Sequence, residues 1–105
     1  MIPKLLYIGI PTTTVQPVVQ PLEGQRAVIT SIRLSAYDNK NGTFEIHHVR
    51  NGETVTSSAN ALAFNVPMNT KTAMEFLTHP IVVGEGEGLW ISGEAICFAV
   101  YGIVL

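Results

Sequence analysis

Hydrophobic and polar residues alternate along most of this chain. From Arg26 to Tyr37, Val28, Ile32, Leu34 and Ala36 fall on one face of an extended segment, with Arg33, Ser35 and Tyr37 on the other. That is the two-residue period of a half-buried β-strand. "TFEIHHVR" repeats it, setting Phe44 and Ile46 against Glu45 and His47. Between the two lies Asn41-Gly42, a dipeptide that accepts the positive φ of a hairpin turn. A second pair, Asn51-Gly52, ends the later strand, and together they predict an antiparallel meander. Downstream, "ETVTSSAN" reads as polar loop and "ALAFNVP" as a strand with Leu62, Phe64 and Val66 inward. "PIVV", "GLWIS" and "AICFAVYGIVL" read as further strands. Residues 71–78 suit a strand through Met74 and Phe76 better than the short helix that Met74 and Leu77 would allow. Seven or eight strands in 105 residues predict an all-β protein, an antiparallel β-sandwich of jelly-roll type.

Two segments depart from clean alternation. The last strand is apolar on both faces, with Ile96, Phe98 and Val100 on one and Cys97, Ala99, Tyr101 and Ile103 on the other. A strand of this kind is covered on both sides. In a two-layer protein the second cover is a neighbouring subunit or a returning arm. Pro11 to Pro21 carries three prolines and is unsuited to a central strand. Its Val15, Val18 and Val19 still favour burial. Residues 1–20 are therefore expected to form an extended arm or edge strand beside a sandwich of residues 21–105. As an arm, the segment would be removable without unfolding the rest.

Composition strengthens the case for a partner. Hydrophobic residues make up 47% and charged residues 13%, well below the usual charged share of about 25%. So few charges cover an exterior poorly, and burial against copies of itself or another protein answers that. The net charge of -2 provides no basic stripe for nucleic acid. The apolar C-terminal run is too short for the ~20 residues of a membrane span. Every Lys and Arg lies at or before Lys71, whereas Glu75, Glu85, Glu87 and Glu94 follow it.

Candidate chemistry is sparse. Adjacent His47 and His48 point to opposite strand faces and cannot chelate one ion, and no cluster has ligand spacing, so no metal is expected. Cys97 has no thiolate-stabilising neighbour, and Ser57, Ser58 and Ser92 lack a strand–turn–helix elbow. "VVGEGEGLWIS" looks like a phosphate loop, but its third glycine is misplaced and a strand follows where a helix is needed. Glu85 and Glu87 would also repel a phosphate. The glycines instead predict a tight acidic turn, and those two carboxylates are candidates for contact with a basic partner surface. No catalytic or cofactor-binding residue is expected.

"PLEGQRAVITSIRLS", "HPIVVGEGEGLWISG" and the closing Ala99-Val100-Tyr101-Gly102-Ile103 resemble small virion proteins of tailed bacteriophages, over Pro21 to Leu105. The resemblance implies a non-enzymatic β-sandwich that decorates or cements the phage head, made in the host cytoplasm and carried on the capsid surface. It also implies a homo-oligomer, often a trimer, bound to the major capsid protein. A place in the neck, tail or fibres is the alternative. On this reading Val15, Val18, Val19, Tyr101 and Ile103 are the expected contact residues. A rival reading, a carbohydrate- or receptor-binding sandwich, would use Trp90, Tyr37 and Tyr7 as sugar platforms.

Overall fold

The computed structural model describes residues 2–37, 39–54 and 58–105. Nine strands form among them: β1 (Lys4–Gly9), β2 (Gln16–Val19), β3 (Ala27–Ala36), β4 (Gly42–Val49), β5 (Ala61–Met68), β6 (Ala73–Glu75), β7 (Ile81–Val83), β8 (Gly88–Glu94) and β9 (Ile96–Val104). They make two antiparallel sheets. The first runs β1-β9-β3, with β6 and β7 both lying along the far edge of β3. The second runs β2-β8-β4-β5. The predicted all-β sandwich is present. Its strands exceed the expected seven or eight because residues 1–20, expected as one arm or edge strand, supply two, β1 and β2.

The inner faces of the sheets meet in one apolar core. Ile29, Ile32 and Leu34 of β3 and Ile96, Phe98 and Val100 of β9 face Phe44 and Ile46 of β4 and Leu89 and Ile91 of β8. Phe44 bridges the layers. Its ring meets Phe98 edge-on at 6.3 Å and Phe76 at 6.1 Å, the arrangement that aromatic quadrupoles favour.

Three local expectations fail, each for a backbone reason. Asn41-Gly42 does not close a hairpin, because the chain there crosses from the first sheet to the second and β3 and β4 never pair. Gly42 is needed for close approach: a Cβ on it would lie 2.5 Å from the Glu94 carbonyl oxygen and 2.6 Å from Ile96 Cδ1. Val28 turns outward, because Ile29 and Ser31 pair with the consecutive residues Gly102 and Tyr101. Thr30 is thus an extra residue, a bulge that reverses the facing of everything before it. Leu62 and Phe64 also turn outward, while Ala63 and Met68 are buried. Here Asn65, at φ 49°, is the extra residue between Val66 (opposite Phe44) and Ala63 (opposite Ile46).

The N-terminal segment is woven into both layers. β1 pairs with β9, β2 pairs with β8, and Val19 lies in the core with Val18 packed against it. Removing residues 1–20 would strip an edge from each sheet, so the segment is not a dispensable arm.

Candidate interaction surface

The outer face of the first sheet is built by the strand whose sequence is apolar on both sides. Ile96, Phe98 and Val100 of β9 are fully enclosed, which directs Cys97, Ala99, Tyr101 and Ile103 away from the core. The pairing register then fixes their neighbours. Leu5 stands beside Tyr101 and Ile8 beside Ala99 across the β1–β9 ladder. On the other side Val28 lies beside Ile103, and Val82 beside Val28. Ile8 is 62% exposed and Val82 54%, while Tyr101 and Ile103 are half-buried. An apolar surface therefore crosses four strands. Contiguous exposed apolar patches of this kind mark interaction sites.

Beyond Ala99 the same face dips into a hollow of about 490 Å³, floored by Ser35, Ala73, Cys97 and Ala99 and edged by Ile8 and Met74. Two residues of opposite charge, Arg33 and Glu75, also line it. Arg33 is the cross-strand partner of Glu75. The Glu75 carboxylate accepts from the Ser31 hydroxyl and from the amides of Ile32 at 2.9 Å and Leu77 at 3.1 Å. Partial burial pushes its pKa up, but these donors and the Arg33 charge outweigh that and hold it below the ordinary value.

The outer face of the second sheet leaves Leu62 and Phe64 exposed and closes over one polar residue. His47 is 0% exposed there: its Nδ1 lies 2.8 Å from Asn60 Oδ1, and its Nε2 lies 3.0 Å from Glu45 Oε1. Asn60 in turn donates to the Thr54 carbonyl at 2.9 Å, and the Phe64 ring stands edge-on to the imidazole at 6.3 Å. Sealed this way, His47 anchors the turn at Ser58–Asn60 and presents no base to a substrate. His48 points to the other side, with Nε2 3.0 Å from Glu87 Oε1.

That contact explains the Gly-rich turn. Gly86, at φ 76°, reverses the chain, and the Glu87 amide donates to the Gly84 carbonyl at 3.1 Å. The Glu87 carboxylate folds back to accept from the Gly84 amide at 2.8 Å. This hydrogen bond lowers its pKa and outweighs desolvation, and the contact with His48 adds to the lowering. Glu87 is therefore used inside the chain. Glu85 is exposed, and its carbonyl accepts from Asn51 at 3.2 Å.

The expected contact residues are thus not gathered in one place. Tyr101 and Ile103 lie on the apolar face, Val19 belongs to the core with Val18 packed against it, and Val15 is half-buried before β2. The aromatic residues of the sugar reading are also separated. Trp90 is half-buried on the second sheet, Tyr7 packs against the core from the first, and Tyr37 is exposed beyond the end of β3. Ser57 lies outside the described residues. Leu5, Ile8, Val28 and Val82 escaped the sequence reading, since only the pairing register brings them beside β9. Among the described residues no group of three or more His, Cys, Asp or Glu is placed to hold a metal, and no helix is long and apolar enough to cross a membrane. In comparisons with known protein families, curated proteins and solved structures, none matches this chain.

Proposed function

We propose that this chain is a structural protein that works by adhesion, as a decoration or cement component of a bacteriophage head. The observation that carries the reading is the outward apolar face of the first sheet, which its own chain leaves uncovered. Leu5, Tyr101, Ile103, Val28 and Val82 form a surface whose exposure to water is unfavourable by about 25 cal/mol per Å² of apolar area. Contact with another protein surface removes that cost, and repetition over many copies on a shell multiplies the effect through avidity.

Strand winding supports the same reading. The pairs nest: β1 with β9, β2 with β8, β3 with β6 and β7, and β4 with β5, alternating between the sheets. A long hairpin rolled on itself gives this order, and we read it as a jelly roll, an architecture used in viral shells and in lectins. Because a fold alone does not assign a function, the weight rests on the face.

In this role the chain binds the major capsid protein and stabilises the head from outside. Peptides of this chain are expected in virions purified from the host that carries its gene. The purified protein should cosediment with heads depleted of it and raise their disassembly temperature. Absence from virions together with no cosedimentation would overturn the assignment.

A further inference from the structure

We propose that the outer face of the first sheet is a two-fold interface, covered in solution by the same face of a second copy of this chain. The inference rests on the adhesive reading above and names the first occupant of that surface.

Charge is the first argument. A face presented to its own copy must not carry an excess of one sign. Here Arg33 and Glu75 are cross-strand neighbours, and the Glu75 carboxylate is further tied to Ser31, Ile32 and Leu77. These opposite charges sum to zero, so the face carries no excess of one sign.

Relief is the second. The face divides between Tyr101 and Ala99 into two unlike halves. One is a ridge of large side chains, Leu5, Val28, Val82, Tyr101 and Ile103, brought together by the register. The other is the hollow of about 490 Å³ lined by the small residues Ser35, Ala73, Cys97 and Ala99 together with the oppositely charged Arg33 and Glu75. Consider a two-fold axis lying in the interface and crossing the strands between Ala99 and Tyr101. It sets the ridge of each copy over the hollow of the other, so one complementary contact is made twice, as an isologous interface requires.

Area is the third. Four strands spaced ~4.8 Å apart, with β9 rising ~3.3 Å per residue, give a flat projection of about 600 Å². Side-chain relief brings this towards the ~800 Å² per partner of a standard interface. A closed trimer would need two different patches on each copy, whereas this is one patch complementary to itself. The surface therefore builds a dimer, in place of the trimer implied by the resemblance to phage virion proteins.

The test uses the purified chain alone. Native mass spectrometry and sedimentation are expected to give twice the chain mass. Ala99→Arg fills the hollow with a charge and Tyr101→Glu places one on the ridge. Both positions face away from the core, and each substitution should weaken association at least ~100-fold while leaving the circular dichroism of a folded sandwich. A second measurement needs no variant: alkylation of Cys97, which lies in the hollow, should be slow in concentrated wild-type protein and accelerate on dilution. A wild-type monomer or trimer overturns the proposal, as does a dimer that survives both folded variants or a Cys97 rate indifferent to dilution. The two readings fail separately. A monomer that still occupies phage heads ends the two-fold interface and leaves the adhesive role, whereas a dimer that ignores heads leaves the interface and ends the virion role.

Discussion

Glu87 locks the Gly-rich turn by serving two donors at once, the Gly84 amide at 2.8 Å and His48 Nε2 at 3.0 Å. Both contacts favour the carboxylate over the acid, and its pKa in the folded chain lies below the ordinary value of 4.5. The unfolded chain therefore binds this proton more readily than the folded one. The resulting stability is fully present above the ordinary glutamate range, and it is lost as pH falls through that range towards the lower folded value. Glu87→Gln retains an acceptor for Gly84 but has no proton to exchange. Urea midpoints measured against pH should show the wild type more stable than the variant at neutral pH, with the two curves converging in acid. Glu53 and Glu75, whose pKa values are also lowered, leave a residual acid slope in both proteins. Parallel curves would show that the Glu87 contacts do not carry this stability.

Strands were legible in the sequence wherever period and burial agreed, as along β4 from Phe44 to Ile46 and along the both-faced β9. What alternation cannot reveal is an inserted residue. One extra residue reverses every facing on one side of it, and nothing in the composition of "ALAFNVP" announces that Asn65 takes that place. The cue is weak: asparagine tolerates the left-handed region better than other non-glycine residues do. The same limit hid the interaction face, because Val28 reaches it only through the Thr30 bulge. The Asn65 bulge also turns Phe64 outward, against the His47 ring. Asn65→Val forces a β-branched side chain into φ 49° and should destabilise the fold by about 1–3 kcal/mol. Asn65→Gly, for which that region is open, should stay within about 1 kcal/mol of wild type. Chemical denaturation of the two variants checks the pair. Equal losses in both would mean that the Asn65 side chain, and not its backbone conformation, holds the bulge.

Nested pairing makes the two ends of the chain unequal. β1 is an edge strand whose Leu6 and Tyr7 only lean on the core. β9 is central, pairing with β1 on one side and β3 on the other, and it supplies Ile96, Phe98 and Val100, all fully enclosed. Truncating a buried phenylalanine costs about 3–5 kcal/mol and a buried isoleucine about 2–5 kcal/mol. Loss of β9 therefore removes about as much as the 5–15 kcal/mol that holds a whole domain together. It also leaves the β1 and β3 ladders without their common partner. Deleting residues 1–9 should yield a chain that still unfolds cooperatively, at a lower temperature and with more self-association through the bared edge of β9. Deleting residues 96–105 should yield no cooperative transition at all. Because β9 closes the first sheet against strands from the opposite end of the sequence, these pairings span long loops. Refolding of the intact chain should accordingly fall in the millisecond-to-second range of β-sandwiches. Calorimetry of the two deletions and stopped-flow refolding of the intact chain measure this directly. A cooperative transition retained without β9 would mean that the second sheet carries the fold alone.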